Sequence, residues 1–155
     1  MAGSRAIVGL PVAGEADASR SIRLALALVD ALDGIGSDVE PELRLGLAVQ
    51  RGAALVRTRR DPKAPLHFEL EDATVAFAHK LARQARGAEI LVGGRVFRAA
   101  RADWVFEALP AIDLPDDATA RAHVSTDDET DPGVKRARVY RLRGDDLIPV
   151  AMRGQ

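Results

Sequence analysis

The apolar positions along the chain fall into short clusters whose spacing alternates between that of strands and that of helices. Residues 6–10, Ala-Ile-Val-Gly-Leu, are apolar and end at Pro11, the pattern of a short strand. Asp17 or Ser19 then caps a helix in which Ile22, Ala25, Leu26 and Val29 recur at helical spacing. Leu24, Leu28 and Leu32 widen that stripe, which predicts a helix well covered by its neighbours, and Gly34 and Gly36 stop it. Residues 42–49 alternate and then become wholly apolar, as a strand buried on both faces does. Residues 53–56 are expected to return antiparallel to it, with the basic stretch 57–63 as a turn or hairpin tip.

A second helix is predicted from Asp72 to Gly87, with Glu71 and Asp72 at its positive end and Lys80, Arg83 and Arg86 towards its negative end. Val75, Ala78 and Ala82, with Phe77 and Leu81 beside them, form its buried side. Residues 89–92 read as a short buried strand closed by Gly93 and Gly94. A short helix over 95–101 and a strand over 104–109 follow. Residues 116–132 lose apolar periodicity and read as a flexible acidic loop. Order returns at 135–142, an alternating strand with basic residues outward, and 147–152 either extends the last sheet or trails from it. The whole, residues 1–155, reads as a single α+β domain: an antiparallel or mixed sheet with helices on one face.

Composition narrows the classes of function. With 155 residues, 47% of them hydrophobic, the chain can bury one real core. Only 4% are aromatic, so that core is built from Ala, Val, Leu and Ile. Charged residues make up 29% and sum to a net charge of -1, without the basic excess of a nucleic-acid-binding protein. The absence of cysteine excludes disulfides and thiolate metal sites and fits a cytoplasmic setting. No apolar run approaches the roughly 20 residues that span a bilayer, and the N-terminus carries no signal-peptide pattern.

Common catalytic motifs are missing. His67, His79 and His123 lie far apart and outside metal-ligand spacing. No nucleophile elbow or P-loop is present. Gly93 and Gly94 after a strand mark a tight turn rather than a phosphate cradle. The acidic run 126–131 lacks the glycine and terminal glutamate of a calcium loop and reads as solvated.

Three stretches, in order, resemble the class III adenylate and guanylate cyclase catalytic domain. Residues 8–20 are similar to that family's Phe-Gly-x-Pro…Glu-Asp…Arg-Ala segment, and residues 43–49 to its strand Arg-Ile-Gly-Ile-His-Thr-Gly. Residues 68–81, Phe-Glu-Leu-Glu-Asp-Ala-Thr-Val-Ala-Phe-Ala-His-Lys-Leu, resemble its Tyr-Asp-x-Trp-Gly-x-Thr-Val-Asn-x-Ala-x-Arg-Leu. Residues 87–92 resemble its Pro-Gly-Glu-Ile-Leu-Val, and 138–142 its last strand. The resemblance implies a ferredoxin-like nucleotide cyclase fold, mixed and mostly antiparallel, truncated at the N-terminus so that the first strands, which carry the two metal-binding aspartates, are missing.

The same resemblance exposes departures. Ala76 stands where the family has the asparagine that orients the ribose, and Lys80 where it has the arginine that steadies developing charge. Lysine keeps the charge but not the planar fork. Glu69 takes the purine-reading position, Asp72 replaces a glycine, Ala48 a histidine and Gln50 a glycine. Glu69, Asp72 and Lys80 are therefore the candidate nucleotide-binding residues, Ala76 and Lys80 the degenerate catalytic positions, and no metal site is expected. The resemblance implies a regulatory or dimerisation module of a signalling protein, inactive alone. It pairs with a second copy or another cyclase-like domain, and a nucleoside triphosphate is a possible ligand. The alternative is part of an active cyclase that uses magnesium or manganese when the missing segment or a partner is present. If the family's central first strand is absent, the gap is expected to be filled by self-association, strand exchange or rearrangement.

Overall fold

The computed structural model describes residues 3–36, 45–113 and 136–143. The elements are α1 (Asp17–Gly36), β1 (Leu47–Val49), β2 (Ala54–Val56), β3 (Phe68–Leu70), α2 (Asp72–Gln84), β4 (Ile90–Gly93), α3 (Gly94–Ala100), β5 (Phe106–Asp113) and β6 (Arg136–Leu142). Four strands form one sheet in the order β1-β4-β6-β5, and β2 and β3 form a separate antiparallel pair. Within the sheet β1 runs parallel to β4, whereas β6 is antiparallel to both β4 and β5.

The apolar run read at 89–92 explains why β4 lies inside the sheet. All four of its residues are buried, and successive side chains point to opposite faces. Ile90 and Val92 pack with Ile22 and Ala25 of α1 and with Val96 and Ala100 of α3. Leu91 packs on the other face with Phe77 and Leu81 of α2, and with Ala137 and Val139 of β6. Helices therefore cover both faces, not one as the element order implied. A strand apolar at every position needs cover on each side.

Several other boundaries differ from the sequence reading. Residues 6–10 form no strand: Gly9 takes a φ of 93°, which breaks an extended run. The turn that follows is tied to α1 by the Asp17 carboxylate, which accepts the Gly14 N–H at 2.6 Å. The first helix runs through Gly34 to Gly36, and Leu24 and Leu28 remain 40% and 41% exposed, so its broad apolar stripe is not fully covered. Ser19 lies inside α1 and donates to Asp103 at 2.7 Å instead of capping the helix.

Residues 54–56 do not return along β1. They pair with β3 in the register Ala54↔Leu70, Leu55↔Glu69 and Val56↔Phe68. On α2 only Phe77 and Leu81 are fully buried, with Val75, Ala78 and Ala82 at the margin. This helix ends at Gln84, and Arg86 lies in the turn beyond it. The third helix spans 94–100, close to expectation, and β5 begins at Phe106, after the buried Trp104. Residues 37–44, 114–135 and 144–155, which include the acidic loop, the run 126–131, His123 and the segment 147–152, lie outside the described residues.

Two glycines set how closely α2 approaches the sheet. A Cβ on Gly46 would lie 2.3 Å from the Ala82 carbonyl oxygen, and one on Gly52 would lie 2.2 Å from Thr74 Oγ1. The first contact is with helix backbone, which cannot swing aside. Gly46→Ala is therefore expected to destabilise the chain by about 1–3 kcal/mol through overpacking. Gly87→Ala, where an added Cβ meets nothing within 4 Å, should change stability far less. Urea unfolding of the two variants checks the contrast, and equal midpoints would refute it.

Candidate functional site

The residues singled out around the second helix occupy the β3–α2 junction. Glu69 is an exposed residue of β3, opposite Leu55 in the ladder. Glu71 holds the N-cap position of α2 in extended conformation, and its side chain accepts from Thr74 Oγ1 at 2.7 Å. Asp72, Ala76 and Lys80 follow at intervals of one helical turn and so share one stripe. Asp72 and Ala76 are exposed, and Lys80 is half-buried.

The structure thus brings Asp72, Ala76 and Lys80 together, with Glu69 and Glu71 just before them. Their chemistry is poorly suited to gripping a triphosphate. Ala76 offers only a methyl group. Asp72 already supplies a negative charge where the helix dipole would favour a phosphate. The Lys80 ammonium donates to the Asp113 carbonyl oxygen at the end of β5, tying the helix to the sheet edge.

Ala48 and Gln50 have packing roles. Ala48 lies against the Phe77–Leu81–Leu91 cluster under α2. The Gln50 side chain lies over Gly93, where a Cβ would come within 2.1 Å of its Oε1. That oxygen is buried without a hydrogen-bond partner among the described residues. Gly93 therefore makes room for Gln50, whereas a Cβ added at Gly94 would meet nothing within 4 Å. Among the described residues no group of three His, Cys, Asp or Glu side chains is placed to hold a metal ion. His67 is exposed on the strand approach, and His79 is half-buried on α2 beside Gly3.

Sequence reasoning missed two charged clusters. Arg141 of β6 reaches Glu107 of β5 at 2.6 Å and Glu89 at 2.7 Å, lining an open concavity of about 560 Å³ with Gly87, Ala88, Leu142 and Arg143. The outward basic residues of β6 were visible in the alternation, but their partners required the register Glu107↔Arg141. A second concavity, of about 510 Å³, is lined by Arg51, Arg95, Arg98 and Ala99. It assembles from two separate stretches that no local motif links.

The α+β arrangement, with its mostly antiparallel sheet and packed helices, is the fold of nucleotidyl cyclase catalytic domains. Among solved structures, it is similar to the guanylate cyclase domain of RhGC from Catenaria anguillulae in complex with GTP. That match has a TM-score of 0.51 and 14% identity over 88% of this chain and 64% of that one. The dimeric guanylyl cyclase domain of the RhoGC fusion protein from the aquatic fungus Blastocladiella emersonii matches with a TM-score of 0.52 and 13% identity. There the match covers 92% of this chain and 65% of the other. The guanylyl cyclase Cya2 gives 0.57 and 16%, over 92% and 68% respectively. This chain therefore spans just under two thirds of the first two. No protein-family model and no curated protein matches the sequence. Among the described residues no helix is long and apolar enough to cross a membrane.

The Arg141 cluster has a pH signature. The backbone N–H of Arg86, donating to Glu89 at 2.8 Å, holds the Glu89 carboxyl below its ordinary pKa against the opposing cost of burial, and the Arg141 guanidinium adds to the lowering. A lowered folded-state pKa adds stability that is present above the unfolded value and lost as pH falls through the folded one. Melting temperature should therefore drop on acidification through the carboxylate range, from about pH 5 downward. Glu89→Gln should melt lower at neutral pH and lose less on acidification. Parallel melting curves for the two proteins across that range would contradict this.

Proposed function

We propose that this chain is a degenerate nucleotidyl cyclase-like domain serving as a regulatory or dimerisation module of a signalling protein. The observation that carries the reading is the state of the α2 stripe. Its packing face is intact, with Phe77 and Leu81 buried, while its outward face carries Asp72, Ala76 and a lysine engaged with Asp113. Removing a single transition-state donor costs about 10²–10³ in rate. A methyl group in place of an amide therefore argues for negligible turnover by this chain alone.

Surface features support a partner, a second copy or another cyclase-like domain. Leu55 and Phe68 on the small β2–β3 pair are 66% and 39% exposed, and Leu24 and Leu28 line the uncovered side of α1. Two-stranded sheets are marginal without packing. Among the described residues β1 forms one edge of the main sheet, with apolar side chains and helices on both faces, and such an edge favours strand pairing with another segment. Sedimentation of the full chain at high concentration should show a dimer. Leu55→Lys with Phe68→Lys should shift it toward monomer with the fold retained. A strict monomer in the parent chain would sink the reading.

A second reading keeps the chain as part of an active cyclase. The fold shared with a domain solved in complex with GTP favours it. It then requires magnesium or manganese held by carboxylates from outside the described residues or from a partner, and a partner's donors in place of Ala76 and Lys80. Incubation of the full chain with manganese and either ATP or GTP is expected to yield no cyclic nucleotide. Measurable cyclic AMP or cyclic GMP would overturn the degenerate assignment in favour of this alternative.

A further inference from the structure

We propose that Arg51, Arg95 and Arg98 form a binding site for a compact, phosphate-dense anion on the side of the sheet opposite α2. The placement follows from the topology. The strands β1 and β4 are parallel neighbours, so their C-terminal ends open at the same rim of the sheet. Arg51 lies two residues after the end of β1, and α3 begins directly after β4. The chain thus delivers cationic side chains from two distant stretches to one place.

The orientation of α3 is fixed by its buried side. Val96 and Ala100 are 1% and 0% exposed, and the Phe97 ring stacks on Tyr140 with centroids 3.9 Å apart. Arg95 and Arg98, three residues apart, therefore share the remaining face and meet Arg51 across the concavity of about 510 Å³. Among the described residues no carboxylate lines this concavity. In a chain whose net charge is -1, three guanidinium groups at one rim depart from the overall balance.

The ligand class follows from the lining. Guanidinium forks match the paired oxygens of phosphates and hold their charge at every physiological pH. Arg95 and Arg98 also engage other groups of the protein, and each guanidinium carries five N–H donors. Among the described residues only Ala99 joins the arginines in the lining, and it offers a methyl group rather than a ring on which a base would stack. Recognition is then by charge density: inorganic pyrophosphate and the triphosphate tail of a nucleotide are equivalent ligands, and an unphosphorylated nucleoside is not one. The site is separate from Glu69, Asp72 and Lys80, because α2 packs on the Leu91 face and α3 on the Val92 face.

Calorimetric titration of the full chain with pyrophosphate, GTP and guanosine tests the proposal. Pyrophosphate and GTP should bind with similar affinity, guanosine should not bind, and added salt should weaken both complexes. Arg51→Gln and Arg98→Gln should each weaken binding by about tenfold, the scale of one charge-assisted hydrogen bond. Lys80→Ala should leave binding unchanged, with circular dichroism confirming that all variants fold. No heat with pyrophosphate, affinity indifferent to both arginine substitutions, or affinity lost with Lys80→Ala would each overturn the assignment. A monomeric chain that still binds pyrophosphate would remove the dimerisation reading and leave this site standing.

Discussion

Burial of β4 on both faces is the constraint from which the remaining placements follow. Its side chains alternate between two separate clusters, and each cluster recruits its own helical cover. Burying a Leu, Ile, Val or Phe side chain is worth about 1.5–3 kcal/mol. The six largest fully buried side chains, Phe77, Ile22, Leu81, Val92, Val96 and Val139, all belong to those two clusters. The layered fold is thus held together around one short apolar strand.

That arrangement separates packing from chemistry on α2. The face turned to Leu91 and Val139 is constrained by close contact, down to the glycine that admits the helix backbone beside β1. The face turned outward is not constrained in that way, and it carries Asp72, Ala76 and Lys80. A fold can persist through its buried contacts while its outward chemistry changes. Here the lysine on that outward stripe is part of the framework, fastened to the end of β5.

Much of this was legible in the residues, for identifiable reasons. The periodicity of Phe77 and Leu81 and the wholly apolar 89–92 run are local signals, and they placed α2 and β4 closely. The motif order marked residues 68–81 as one stretch with the start of α2 inside it, but not the strand β3 at 68–70. What failed depended on partners distant in sequence. The strand pattern at 6–10 meets no strand among the described residues, and a glycine at positive φ turns the chain away. Residues 54–56 pair with β3, while the place beside β1 is taken by the parallel β4 that the chain reaches through α2. Leu24 and Leu28 showed helical spacing but not whether anything lies over them. Arg141 and the three arginines at the sheet rim were invisible as clusters, since each is assembled by register and crossover rather than by spacing.

The fit of Gln50 over Gly93 carries a consequence for variation in this fold. The amide end of one residue occupies the volume that any side chain at the other would claim, so neither position can drift independently. Enlarging position 93 demands shortening position 50, and restoring a glycine at 50 frees 93 to accept alanine or serine. Relatives of this chain should therefore exchange the two together, a compensating pair joining the exit of one parallel strand to that of its neighbour.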